Sequence, residues 1–210
     1  MIDHNGSQCC YCTPGFVCSM AEASARGVSG DPAAVADQLC GNLCRGTGDR
    51  PIREALLATP ETALPKSATE TCPSLPGYER PSTLAEALAP KAANPEASYI
   101  APATEQLVLI NKRQLRYETL ISLEQIDELL RIETSDAVWS IGAAAPLTDI
   151  EAALGGEFPA LDQAMRLFAS RQIRHRATLG GNLVTVSPIG DCPPVNKVGP
   201  RSIPHGGPPD

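Results

Sequence analysis

The stretch Ser7-Gln8-Cys9-Cys10-Tyr11-Cys12-Thr13-Pro14-Gly15-Phe16 decides how the first part of this chain is read. Its counterpart is Gly41-Asn42-Leu43-Cys44-Arg45-Gly46-Thr47-Gly48-Asp49-Arg50-Pro51-Ile52. Cys9 and Cys12 form a C-x2-C pair, and two thiols three residues apart can point at one metal centre from a tight loop. Both cysteine segments stand just before an expected helix start, at Thr13-Pro14 and near Pro51. Helix N-termini carry unbonded N–H groups and a partial positive charge, which favour an anionic thiolate centre. Spacing alone leaves three readings open: an iron–sulfur site, zinc held by Cys9, Cys12, Cys40 and Cys44, or unliganded cysteines.

Around these segments the pattern is helical. Thr13 can cap a helix with Pro14 at its first position, placing Phe16, Val17, Met20 and Ala21 on one side, with Gly27 as its stop. A second helix starts at Asp31-Pro32, uses Val35, Ala36 and Leu39, and stops near Gly41. A third starts around Arg50-Pro51, uses Ile52, Ala55 and Leu56, and ends before Pro60. Cys18 reads as a packed helix residue. Such short helices bury little apolar area, so this head calls for a staple.

The rest of the chain divides by composition. Its 210 residues allow one or two domains. Six of the eight cysteines lie within the first 44 residues, and Cys72 and Cys192 stand alone. Prolines cluster instead from Pro60 to Pro102 and from Pro188 to Pro209. The division is a Cys-rich head (1–59), a Pro-rich linker (60–98), a second domain (99–195) and an irregular tail (196–210). In the second domain Leu120–Leu123 and Val138–Ile141 read as strands, separated by a turn at Thr134-Ser135-Asp136, and Trp139 as strand packing. Thr148-Asp149-Ile150-Glu151 reads as a capping box. Leu161, Met165 and Phe168 give a helix its apolar stripe. Thr178-Leu179-Gly180-Gly181-Asn182 reads as a glycine turn into a strand, Leu183–Val186.

That glycine turn has a possible chemistry. Glycines let backbone N–H groups approach a pyrophosphate closely, and the Asp191 carboxylate can accept a bond from a flavin or ribose. Alone, the segment reads better as a plain tight turn. The basic group Arg166, Arg171, Arg174, His175 and Arg176 can attract phosphate, although such groups are commonly solvated helix ends.

Several classes fall away. The net charge of −7 argues against a nucleic-acid partner. No apolar run approaches the ~18 residues of a membrane span. The first residues show no secretory pattern, so the cytoplasm is the expected compartment, where cysteines serve metal or redox chemistry more than disulfides.

The two cysteine segments resemble the second [2Fe–2S] domain of the xanthine dehydrogenase family. Its pattern is G-x-C-T-P-G-F with a cysteine ahead, then G-N-L-C-R-C-T-G-Y-R-P-I. The resemblance implies a four-helix fold whose cluster relays electrons between a molybdenum centre and FAD. It implies ligands at Cys9, Cys12, Cys44 and position 46, where this chain has Gly46. A [2Fe–2S] cluster normally takes four cysteine thiolates. Cys40, one helical turn before Cys44, is the candidate substitute; Cys10, adjacent to Cys9, points elsewhere. The cluster is therefore expected to be absent or labile.

Phe168-Ala169-Ser170-Arg171-Gln172-Ile173-Arg174, Thr178–Asn182 and Ser187-Pro188-Ile189-Gly190-Asp191 resemble the FAD-binding domain of the same subunit. The implied FAD contacts are Phe168, Thr178, Leu179, Gly180, Gly181, Asn182 and Asp191. The family carries a second glycine loop, V-x-G-G-T-D, between its Y-x-A-P and K-Q-L-R segments. Here Tyr99-Ile100-Ala101-Pro102 runs almost directly into Lys112-Arg113-Gln114-Leu115-Arg116, and no glycine occurs between Gly77 and Gly142. The chain also departs from the family after Pro194.

The implied fold class is α+β: a small all-α [2Fe–2S]-binding domain of four-helix type, then a partial α+β FAD-binding domain of PCMH type. The implied function is the iron–sulfur flavoprotein subunit of a xanthine dehydrogenase-like oxidoreductase. Purines would be hydroxylated on a molybdopterin-binding large subunit, and electrons would pass through [2Fe–2S] to FAD and NAD. No catalytic acid–base residue is expected, since such a subunit holds and tunes cofactors. The alternative is a truncated, degenerate derivative without cofactors, at most an interaction module.

Overall fold

The computed structural model describes residues 1–63, 74–135, 138–188, 190 and 192. The chain splits into two compact units, Met1–Thr71 with Ser170–Gln172, and Cys72–Ala169 with Ile173–Asp210.

The first unit is helical: α1 (Thr13–Ala25), α2 (Pro32–Leu39) and α3 (Asp49–Leu57). Cys12, one residue earlier than expected, is the N-cap of α1, leaving Thr13 and Pro14 as its first two residues. The helix ends as Gly27 predicts. Gly27 turns left-handed (φ +67°), its N–H donates to Ser24 O at 3.2 Å, and the Val28 N–H donates to Ala23 O at 3.1 Å. These two bonds satisfy carbonyls that the helix end leaves open. Asp31 caps α2, accepting from the Ala33 N–H at 2.9 Å. The three helices close over Phe16, Met20, Ala23, Val35, Leu39, Ile52, Ala55 and Leu56. Val17 and Cys18, both expected to pack, are exposed. At 3.6 residues per turn the buried line on α1 runs through Phe16, Met20 and Ala23, which leaves positions 17 and 18 outside it.

The second unit starts earlier than the composition suggests. Within 60–98, read as a linker, lie β1 (Tyr78–Glu79), α4 (Leu84–Ala93) and the first residue of β2 (Ser98–Ile100). Prolines there do not prevent structure. Pro81 lies between β1 and α4, and Pro90 is accommodated in the latter half of α4. After β2 come α5 (Thr104–Arg113) and β3 (Leu120–Ser122). The three strands form a parallel sheet in the order β1-β3-β2, with Tyr78 and Ser98 both paired to Leu120. The central strand carries the burial: Ile121 joins Ala87, Ala97 and Ile126 in a small core.

Next are α6 (Asp127–Leu130), β4 (Ile132–Thr134) and β5 (Trp139–Ile141), the last two an antiparallel pair. The turn expected near Thr134 therefore joins these two strands rather than separating β5 from β3; Asp136 lies outside the described residues. Four helices follow: α7 (Leu147–Leu154), α8 (Pro159–Leu167), α9 (Arg171–Arg174) and α10 (Leu179–Thr185). The main core gathers Trp139, Leu147, Ile150, Leu154, Phe158, Leu161 and Met165, and the rings of Trp139 and Phe158 are 5.5 Å apart.

Two sequence readings fail here for identifiable reasons. Thr148 does not cap α7, because Pro146 takes the N-cap position and places Thr148 inside the first turn. Its hydroxyl instead lies 3.1 Å from His175 Nδ1. The segment Leu183–Val186, expected as a strand, belongs largely to α10. Thr178 is a helix cap whose Oγ1 accepts from the Gly181 N–H at 3.1 Å, so the chain winds up instead of extending. No helix among the described residues is long and apolar enough to cross a membrane.

Candidate functional site

The cysteine loops are positioned by the first unit's core, against which Cys12 and Cys44 are both packed, half-buried. Asn42 ties the second loop to α1, accepting at Oδ1 from the Ser19 hydroxyl at 2.8 Å. The two thiols meet. A hydrogen bond from Cys12, with backbone N–H groups of Thr47 and Gly48, lowers the Cys44 thiol to about 7. The Thr47 nitrogen is 3.4 Å from Cys44 Sγ. Cys12 moves the other way: its bond to Cys44, then desolvation, raise it, so it holds its own proton where Cys44 ionises.

The other thiols do not complete a site. Cys9 is exposed, though its charge is felt at Cys12. Cys10 is left-handed (φ +64°), and its Sγ lies against its own loop, 3.6 Å from Gln8 O and 3.5 Å from Ser7 Oγ. Cys40, the expected substitute, is exposed at the C-cap of α2. Among the described residues no three Cys, His, Asp or Glu side chains are gathered to hold a metal ion. The four-cysteine zinc arrangement is therefore not formed. A four-thiolate cluster does not fit the residues present either, since position 46 offers no side chain.

A second site lies wholly in the second unit. A cavity of about 500 Å³ opens there. Phe168, Thr178, Gly180, Gly181 and Asn182 line it together with Tyr99, Ile100 and Ala177. Its volume is typical of a small-molecule site. Leu179 instead packs into the core, and Asp191 lies outside the described residues.

The glycines work differently from the expected N–H cradle. The N–H of Gly180 donates to Ala143 O at 3.2 Å, and that of Asn182 to Thr178 O at 3.1 Å. With Gly181 bonded to Thr178, all three donors are engaged within the fold. What the glycines provide is close approach: a Cβ on Gly180 would overlap the Ala143 backbone. Where the resemblance expects a second glycine loop, the cavity wall is the first turn of α5, including Thr104, Glu105 and Gln106. The lining fits a flavin in its volume and in the aromatic side chains of Phe168 and Tyr99.

Sequence reasoning missed Arg174. Read as one of a solvated basic group, it is 4% exposed. Its Nη1 donates to Phe168 O at 3.0 Å and Ala169 O at 3.3 Å, fixing the turn that brings Phe168 to the cavity. Ala169 sits there at φ +44°, outside the regular helix that ends at Leu167. The bare sequence carries no signal for this, because a cluster of arginines looks alike whether solvated or bonded inward.

Comparison with known proteins points to the same two domains. Residues 70–198 match the family described as the FAD binding domain in molybdopterin dehydrogenase, and residues 1–57 match the [2Fe–2S] binding domain. Xanthine dehydrogenase of Emericella nidulans is 30% identical over 91% of this chain and 19% of its own length. That of Drosophila pseudoobscura pseudoobscura is 31% identical, with the same coverage. The chain thus spans about a fifth of these relatives. The alignment to the Emericella protein runs over 264 positions, more than the 210 residues of this chain, so that relative carries segments absent here. Among solved structures, carbon monoxide dehydrogenase from Hydrogenophaga pseudoflava is similar with a TM-score of 0.54 and 27% identity, over 60% of this chain and 45% of that one. The corresponding enzyme from Oligotropha carboxidovorans gives 0.53 and 26%, over 59% and 44%. With its flavin-domain match covering most of its length, the chain belongs to the molybdenum hydroxylase family, as an iron–sulfur and FAD-binding region.

Proposed function

We propose that this chain is the electron-transfer portion of a xanthine dehydrogenase-like oxidoreductase in the cytoplasm. A molybdopterin-binding partner chain or domain hydroxylates a purine, and NAD is the final acceptor. The observation that carries the reading is the cavity that gathers Phe168, Thr178, Gly180, Gly181 and Asn182. Bound FAD supplies the chemistry of accepting and passing on electrons. The chain's own residues hold and shield it. Phe168 offers an aromatic ring, Gly180 and Gly181 let the start of α10 close against Ala143 and Thr178, and Arg174 holds the Phe168 turn in place. The xanthine dehydrogenases named above support the purine assignment.

The test is a titration of the purified chain with FAD, followed by quenching of flavin fluorescence. Saturable binding of one FAD, weakened at least tenfold by Phe168→Ala, is the expected result. A chain that leaves flavin fluorescence unchanged sinks the reading. That outcome favours the second reading, a degenerate derivative without cofactors, for which Gly46 in the place of a thiol is the specific observation.

A further inference from the structure

We infer that Gly46 keeps the first unit from holding a two-iron cluster, and that the loop around it still accepts the missing thiol. The inference rests on reading this unit as a [2Fe–2S] domain.

No other cysteine takes over the place of Gly46 among the described residues. Cys10 is turned onto Gln8 and Ser7 of its own loop, and Cys40 stands exposed at the end of α2. Neither joins Cys12 and Cys44 in a group able to hold a metal.

Position 46 remains open to a side chain. Gly46 is outside the left-handed region, unlike Gly27, Gly48, Gly77 and Gly156. A Cβ built on it meets nothing closer than Gln8 Oε1, at 3.7 Å, an ordinary contact. A cysteine there needs neither backbone strain nor displacement of a neighbour.

The loop that carries position 46 keeps its anchors. Cys12 and Cys44 are in contact, and Cys44 accepts a backbone N–H from Thr47 within the same loop that carries position 46. Asn42 still anchors that loop to Ser19.

The experiment compares the full chain with Gly46→Cys and Gly46→Ala after anaerobic incubation with ferrous iron and sulfide, then desalting. Iron and sulfide content and visible absorption are read, with circular dichroism as the fold control. Gly46→Cys should retain about two irons per chain with the charge-transfer absorption of a thiolate cluster. The parent chain and Gly46→Ala should retain at least fivefold less. The inference is overturned if the parent chain holds as much iron as Gly46→Cys. It is overturned equally if folded Gly46→Cys gains nothing over Gly46→Ala. If Cys40→Ser or Cys10→Ser abolishes iron binding by the parent chain, a substitute ligand operates and the inference also fails. FAD binding is scored separately, so failure here and failure of the flavoprotein reading are distinct.

Discussion

Gly180 donates its N–H to the carbonyl oxygen of Ala143 at 3.2 Å, which draws the start of α10 onto the turn after β5. There is no room for a methyl group between them. Gly180→Ala must push the helix start away, and overpacking of this kind costs about 1–3 kcal/mol. Because Thr178, Gly181 and Asn182 line the same cavity, their displacement carries over to the ligand. The variant should melt several degrees lower, by roughly 4–8 °C per kcal/mol in a small domain. It should also bind FAD more weakly. Unchanged melting and unchanged affinity would show that the contact is slack.

Cys12 and Cys44 are hydrogen-bonded with their pKa values pushed apart, which is testable in metal-free protein. Its thiol is lowered to about 7 by the Cys12 hydrogen bond and by the N–H groups of Thr47 and Gly48. The thiolate is the nucleophile. Alkylation of Cys44 by iodoacetamide should therefore rise through neutral pH and level off by about pH 8, while Cys12 lags until more alkaline conditions. Cys12→Ser should move the Cys44 profile, because a serine hydroxyl is a different donor at that spot. Peptide mapping of the modified protein distinguishes the two thiols. Equal rates at Cys12 and Cys44 across the range would contradict the assignment.

How much of this was legible beforehand depends on whether the signal was local. Asp31 before Pro32 and Gly27 after α1 act through bonds within a few residues, so spacing alone found them. The pairing of Cys12 with Cys44 was legible only through a long motif, since the residues between them carry no sign of it. Two S/T-x-x-E segments show the limit. The box was read at Thr148–Glu151, where Pro146 displaces it, and overlooked at Thr83–Glu86, where prolines suggested a linker. Thr83 Oγ1 does accept from the Glu86 N–H, at 3.2 Å. The cavity was half legible: glycines and Phe168 pointed to it. Its α5 wall, and the inward bonds of Arg174, are set by packing between distant segments.

That overlooked cap gives a pH prediction. The Glu86 carboxylate accepts from the Ser82 N–H at 2.8 Å and from the Ser82 hydroxyl at 2.9 Å. These bonds, the backbone one foremost, hold its pKa below the ordinary carboxylate value. A carboxyl lowered in the folded state stabilises the fold above its unfolded pKa and loses that contribution as pH falls through the folded value. The parent chain should therefore be more stable than Glu86→Gln at pH 7. The difference should shrink below about pH 4 and vanish once the carboxyl is protonated. Paired thermal melts across pH 3–7 check this, and a gap that widens on acidification would reverse the sign.

Ile52 is completely buried between the helices of the first unit, in a core of eight apolar residues. A core that small has few other contacts to share the loss. Ile52→Val removes one methylene and should cost about 0.5–1.5 kcal/mol, whereas Ile52→Ala should cost about 2–5 kcal/mol. Cys12 and Cys44 pack against this same core, so the larger truncation should also loosen their contact. Denaturant unfolding gives the stability loss, and Cys44 alkylation at neutral pH reads the local consequence. The expected pattern is graded: Val nearly parental in both measurements, Ala unstable and with its Cys44 profile shifted towards that of an ordinary thiol. If Ile52→Ala lowers stability but leaves the Cys44 profile untouched, the thiol pair is held by its own loops and not by the helical core beneath it.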